Sequence, residues 1–328
     1  MLSNDSTRFR IACIFTSASL RENSGTIASG DYSTPVSQRK MKIVHYQALN
    51  GNYGDELNKW LWPKIFTGLI RGYCLHGIEF QQVNNQESRL FYGIGTILDD
   101  RIPPAPQKII FGVGTGYGSP VLIDSQYAIS FVRGPLTAKA LRIDPSYAVT
   151  DPAILLRNYI EPAHKIHRVS FMPHIDSVAA SDFWQTVCQK LDIHYISPRG
   201  QDVAAISSAI AASDLLITEA MHGAIVADTL RVPWVPVCSR HINNFKWTDW
   251  CLSLGLEYKP IRIGEFYASS RPDKKAINAI KTQFALQTFK KILRQPQAYL
   301  SDDRVSGQKI AQIENHIDAL KSLLSKVN

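Results

Sequence analysis

From Lys42 onward the chain alternates short, nearly continuous apolar runs with longer stretches of helical spacing. The runs are Ile43–Tyr46, Leu90–Ile94, Ile109–Val113 and Ile129–Val132, then Val169–Met172, His194–Ile196, Leu215–Thr218 and Trp234–Val237. Each is too short for a helix and lacks a clean polar face, which predicts strands buried on both sides. Helical spacing falls between them, near Glu56–Ile70, Leu136–Leu141, Ser177–Leu191, Val203–Ala212 and Ala220–Leu230. Strands joined by helical crossovers form parallel α/β sheets with helices on both faces. The pattern occurs twice. The break between the two rounds runs from Asp151-Pro152 to His167 and holds Pro152, Pro162 and several charges. The chain is expected to contain two Rossmann-like domains, residues 41–160 and 161–268, facing each other across a cleft. In such sheets ligands sit beyond the carboxyl ends of the strands.

The two ends differ from this core. Residues 1–40 are rich in Ser and Thr, poor in acids and weakly periodic. The run Ile11–Phe15 follows Arg8 and Arg10, but it is too short for the apolar heart of a targeting segment. The stretch reads as a flexible extension, or as an over-long start ahead of Met41. Residues 269–328 read as helical and more basic. Ile310, Ile313, Ile317, Leu320, Leu324 and Val327 recur at a/d-like spacing, over too short a run for a coiled coil. A helix packed on the outside of a domain is expected.

Composition narrows the classes. A length of 328 residues suits two domains, and 45% hydrophobic with 20% charged residues argues against extended disorder. The cysteines are Cys13, Cys74, Cys188, Cys238 and Cys251, an odd and scattered set with no C-x-x-C. That excludes a disulfide framework or zinc ribbon and points to a reducing compartment. The net charge of +8 calls for an anionic partner: a phosphate substrate, a membrane surface or a nucleic acid. Nucleic acid is disfavoured, because there is no zinc-finger spacing, no dense Lys/Arg run and no RNP-like aromatic box. No apolar stretch approaches the ~20 residues that span a bilayer. Peripheral attachment through a basic surface stays open.

Four stretches carry candidate chemistry. The first is Asn50–Asn58, after the first strand and opening a helix. Gly51 and Gly54 permit close approach, Asn52 or Asp55 can cap the helix, and free N–H groups there favour a polar ligand. Asp55 and Glu56 place acids at the cleft mouth, usable as a base toward a sugar hydroxyl. The loop lacks the lysine of a P-loop. The second comprises Gly93–Thr96 and Gly112–Gly118, which offer backbone N–H groups but no dinucleotide fingerprint, since Pro120 breaks the required helix. The third is Arg133-Gly134-Pro135 at a strand end, where a guanidinium can grip a carboxylate or phosphate, or pair with a nearby acid. The fourth is Thr218–Asp228, with His222 near a helix N-terminus, placed to contact phosphate or act as acid and base. Glu219 could orient it or cap the helix. His174 after another strand, and Arg199, Arg240, His241 and Lys246 after later ones, add positive charge. No metal motif and no G-x-S-x-G elbow occurs.

Taken in order, the N-x-G-D-E loop at Asn52–Glu56, Arg133-Gly134-Pro135, Asp151-Pro152-Ala153, Met172-Pro173-His174 and the M-H-G-A-I-V-A-D helix at Met221–Asp228 resemble the polysaccharide pyruvyl transferase family. The likeness is to its bacterial exopolysaccharide members and covers about Lys42 to Ile263. It implies a GT-B-like pair of domains, with the acceptor on the amino-terminal side and the donor on the other. It implies phosphoenolpyruvate as co-substrate, no cofactor and no metal. The product is a pyruvate ketal across two hydroxyls of one sugar. The acceptor is a saccharide, a lipid-linked oligosaccharide at the inner face of the cytoplasmic membrane. The family implicates an Arg and a His, which Arg133 and His222 match. From the chemistry of the residues themselves, His222 and Asp55 are assigned as catalytic, donor binding to Arg133, His222, Gly223, His174 and Lys246, and acceptor binding to Asn52, Asp55 and Glu56. Many members carry Arg two residues before the histidine; here that position is Ala220, which leaves the cation for the donor carboxylate open. Two rival readings are a GT-B glycosyltransferase using a nucleotide sugar and a non-catalytic carbohydrate-binding relative.

Overall fold

The computed structural model describes residues 40–48, 51–76, 89–103, 105, 107–179, 183–239, 243–264 and 275–325. The expected extension before residue 40, and Asn50, Arg240, His241 and Val327, lie outside these residues.

Two parallel five-stranded sheets form the frame. The first holds β1 (Met41–His45), β2 (Ile70–Leu75), β3 (Arg89–Tyr92), β4 (Gln107–Phe111) and β5 (Tyr127–Phe131), in the order β2-β1-β3-β4-β5. Helices α1 (Tyr53–Ile65) and α2 (Pro135–Ala140) belong to this half. The second sheet holds β6 (Ser170–Met172), β7 (His194–Tyr195), β8 (Leu216–Thr218), β9 (Trp234–Cys238) and β10 (Ile261–Arg262), ordered β10-β9-β8-β6-β7. Its helices are α3 (Ile175–Ala179), α4 (Phe183–Leu191), α5 (Val203–Ala211), α6 (Met221–Thr229) and α7 (Asn244–Ser253), followed by α8 (Lys275–Arg294) and α9 (Asp303–Ser325). Among the described residues, no helix is long and apolar enough to cross a membrane.

The mixed α/β class matches the hydrophobic pattern; several details do not. The first helix stops at Ile65 rather than Ile70: Pro63 removes a helical N–H near its end, and Phe66 turns out of helical geometry. The next residues form the edge strand β2, where Arg71 and Tyr73 are exposed, so its sequence shows no apolar run. The stretch read as one helix over Ser177–Leu191 is divided between the end of α3 and the whole of α4.

The break after β5 starts inside the core and is largely exposed only from Arg157 onward. Asp151 caps a 3-10 turn over Pro152–Asn158, accepting a bond from the Ala153 N–H at 3.0 Å. Pro152 to Leu156 are all buried. They join a core that runs across both halves, from Leu57, Trp62 and Phe131 to Ile225, Trp234 and Trp250. The carboxy-terminal helix belongs to the same core. Ile310, Ile313, Ile317, Leu320 and Leu324 of α9 are buried in it. His316 lies 5.0 Å from the Phe131 ring and 3.0 Å from Ser130 Oγ. The helix therefore returns from the second sheet to the first instead of covering one domain. A burial of this kind contributes about 1.5–3 kcal/mol per aliphatic side chain. Its entry is pinned by Asp228, which accepts bonds from Trp234 Nε1 at 3.0 Å and the Ser301 N–H at 2.8 Å.

Candidate active site

The start of α1 is fixed from both halves. The Tyr53 N–H donates to the Pro198 carbonyl at 2.9 Å, and Tyr53 Oη shares a bond with Ser207 Oγ at 2.7 Å. One turn on, buried Asn58 bonds both the N–H and the carbonyl of Ile94, at 3.0 and 2.9 Å, and locks α1 to the end of β3. Asn52 stands at the cap position, but its side chain does not cap. It donates instead to Asp55 Oδ2 at 2.7 Å.

His222 is the second residue of α6, and Gly54 makes room for it. A Cβ on Gly54 would fall 2.2 Å from His222 Nδ1, so only a bare Cα lets the imidazole seat against α1. On the other side of the ring, Nε2 lies 3.7 Å from Oδ2 of the buried Asp151. Asp55 stands half-buried beside this group. Burial pushes its carboxyl up to about 6, partly offset by the Asn52 hydrogen bond and by the charges of His222 and Lys246.

These residues line one cavity of about 570 Å³. Asn52, Gly54 and Asp55 reach it from the first half, and His174, His222 and Lys246 from the second. All six follow the carboxyl ends of strands. Lys246 Nζ donates to Tyr117 Oη at 3.2 Å, and His174 Nδ1 lies 3.4 Å from Asp176.

Three expected ligand contacts are placed elsewhere. Arg133 has no exposed surface. Its Nε donates to Asp249 Oδ2 at 3.1 Å, and its terminal nitrogens donate to Thr96 Oγ1 at 2.8 Å and the Thr115 carbonyl at 3.1 Å. Asp249 also accepts the Leu136 and Thr137 N–H groups and the Thr137 hydroxyl, at 2.9, 3.0 and 2.6 Å. Arg133 thus ties the first sheet to α7 and is spent as scaffold. Gly114, read as part of a ligand loop, leaves space for it: a Cβ there would lie 2.3 Å from the guanidinium carbon. Gly223 is buried, and a Cβ would lie 2.8 Å from both Met172 Sδ and Thr218 Oγ1, so it serves helix packing rather than donor contact. Glu56 turns from the cavity and pairs with Lys59 at 3.2 Å. Glu219 neither caps α6 nor touches His222. It accepts the Ser239 and His174 N–H groups at 2.7 and 3.2 Å, joining the ends of β9 and β6.

One cluster at the cavity escaped the sequence reading. Buried Asp99 takes two bonds from the Arg101 guanidinium, at 3.0 and 2.6 Å, and stands 3.3 Å from His76. Burial alone would raise the Asp99 carboxyl, but the bonds from His76 and Arg101 hold it well below the usual range. The fork fixes the guanidinium of Arg101, a cavity-lining residue, at the rim. The signal in the sequence was an acid pair followed by Arg just beyond a strand end.

Residues 52–241 match the polysaccharide pyruvyl transferase family. The chain belongs to that family. The matched span opens at Asn52 and runs past His222, so it holds residues of both cavity walls, with Lys246 beyond it. The succinoglycan biosynthesis protein ExoV of Rhizobium meliloti (strain 1021) is 38% identical over 229 residues, which cover 68% of this chain and 68% of that protein. Among solved structures, an uncharacterized protein of Klebsiella pneumoniae is 15% identical, with a TM-score of 0.40 over 66% of this chain and 90% of that one. The wall teichoic acid polymerase TagF is 10% identical, with a TM-score of 0.35 over 87% of this chain and 90% of that one. Membership of the pyruvyl transferase family makes the chain a transferase.

Proposed function

We propose that the chain moves the pyruvate unit of phosphoenolpyruvate onto two hydroxyls of one sugar in an exopolysaccharide repeat unit. The observation that carries this reading is the meeting of Asp55 and His222, from opposite halves, in one cavity with Asp55 poised near 6. A carboxyl raised to about 6 beside an imidazole supplies a base and an acid.

In the first step a sugar oxygen bonds to C2 of the donor while C3 gains a proton and becomes a methyl group. The attacking hydroxyl gives up its proton to a base, for which Asp55, held by Asn52, is the acceptor-side candidate. His222 serves as the partner acid and contacts the phosphate. In the second step the C2–O bond to phosphate breaks, and phosphate leaves with the electron pair. The second hydroxyl closes the ketal and releases its proton. The oxidation level of the three-carbon unit summed over C2 and C3 is unchanged, so the chemistry calls for no redox cofactor. Lys246 and His174 face the donor's anionic groups, and the guanidinium of Arg101 adds a third positive contact. The two sheets on either side of the cavity are read as a GT-B-like arrangement. The acceptor is read as a lipid-linked oligosaccharide at the inner face of the cytoplasmic membrane, toward which a net charge of +8 favours approach.

Thermal unfolding with phosphoenolpyruvate, UDP and GDP tests the donor. At 100 times its Kd the true donor adds about 2.7 kcal/mol to the folded state. For a chain this long that raises the melting point by ~2–4 °C per kcal/mol. Phosphoenolpyruvate is expected to give this shift, smaller in His222→Gln. A shift with a nucleotide and none with phosphoenolpyruvate overturns the reading.

A further inference from the structure

We infer that Asp151 is the positioning residue for His222, holding its imidazole with the proton on Nε2. Asp151 divides its two oxygens between two tasks. Oδ1 caps the 3-10 turn through the Ala153 N–H. Oδ2 is buried, has no hydrogen-bond partner among the described residues, and faces His222 Nε2, which is also buried and without one. Their separation of 3.7 Å is too long for a hydrogen bond and short enough for an ion pair. Two orphaned buried atoms facing each other ask for an explanation. A proton on Nε2 supplies it, and a shift under an ångström closes the bond. Hydrogen bonds of catalytic groups often tighten in this way only when substrate binds.

The consequence for the ring follows from its other side. With Nε2 committed to Asp151, Nδ1 is the nitrogen free to take and give a proton. It is the atom nearest Gly54, at the start of α1 where Asp55 stands. The charged groups around the ring are Asp151 from the 3-10 turn and Asp55 from α1, with Lys246 beyond Asp55. Of the other elements packed on α6, α5 and β8 carry no ionisable residue and β9 only Cys238. Two carboxylates therefore flank one imidazole. Asp151 fixes the tautomer and stabilises the imidazolium each time Nδ1 is protonated. This assignment rests on the pyruvyl-transfer reading for its kinetic part only.

The test is nitrogen NMR of histidine-labelled full-length protein, with the His222 signals identified by their loss in His222→Gln. In the wild type His222 is expected as the Nε2–H tautomer at neutral pH. In Asp151→Asn, which keeps the turn cap, its preference for the Nε2–H tautomer should weaken. In steady-state phosphate release, Asp151→Asn should lower kcat by about 100-fold with the KM for phosphoenolpyruvate within a few-fold of wild type. An Nδ1–H tautomer in the wild type overturns the proposal without any variant. An unchanged His222 tautomer preference in Asp151→Asn also overturns it. If the NMR coupling appears and no pyruvate is transferred, the functional reading fails and the Asp151–His222 assignment stands.

Discussion

Arg133 and His222 occupy comparable places, each where the two halves meet and each facing a buried aspartate from the opposite half. Their hydrogen bonding differs completely. Around Arg133 and Asp249 the nitrogens and oxygens are paired with side chains and backbone. Around His222 and Asp151 one nitrogen and one oxygen are left unpaired. A saturated network has one low-energy arrangement and works as scaffold; an unsaturated one keeps capacity for a proton or a ligand. The contrast teaches that Arg133, assigned to the donor from its place at a strand end, is committed to the fold. Its address at a strand end was right, but its valences are spent.

That contrast can be broken or sharpened by substitution. The largest effect is expected at the scaffold. Asp249→Ala leaves the Arg133 charge buried and alone, which should cost about 3–5 kcal/mol of stability. Urea unfolding measures this, and a loss below 1 kcal/mol would mean that Arg133 finds water or another partner. Next comes the seat of the imidazole. Gly54→Ala should slow turnover by about 100-fold, because a misplacement near 1 Å is enough for that. Helix propensity alone favours Ala over Gly by ~1 kcal/mol. Stability should therefore fall much less than activity, and equal losses in both would place Gly54 with the scaffold. The smallest effect concerns pH. If ionised Asp55 is the base, kcat/KM should rise about tenfold per unit up to a pH near 6 and level off above it. Stability should run the other way. Asp55 binds its proton more tightly folded than unfolded, so its contribution is full below about 4 and is lost as pH rises through about 6. Asp55→Asn should flatten both curves, and a wild-type rate profile without a step near 6 would remove Asp55 as the base.

The fold was legible wherever a strand is buried on both faces. β1, β3, β4, β8 and β9 read as apolar runs because nearly all of their residues are buried. β2 was hidden because it lies at a sheet edge with Arg71 and Tyr73 in solvent, and β10 because it is two residues long. In the site, position after a strand end located Asn52, Asp55, His174, His222 and Lys246 at one cavity. Finer resolution was out of reach. Asp55 and Glu56 differ by one step, but a helix turns ~100° per residue, so one faces the cavity and the other Lys59. The partner that consumes Arg133 is 116 residues away in sequence, and no local pattern announces it. The aim of the Asp151 carboxylate depends on how α6 packs against the 3-10 turn, a tertiary fact with no periodic signature.

The return of α9 to the first sheet carries a consequence for synthesis. Ser130 and His316, which bond in the folded chain, are 186 residues apart. At translation rates of ~5–20 residues per second, about 10–40 s separate their appearance. During that interval the emerging first sheet holds an apolar seat around Phe131 and Leu155 whose own cover has not yet been made. A nascent chain in that condition is a natural client for a chaperone, and slowing its final stretch of translation would lengthen the exposure in direct proportion.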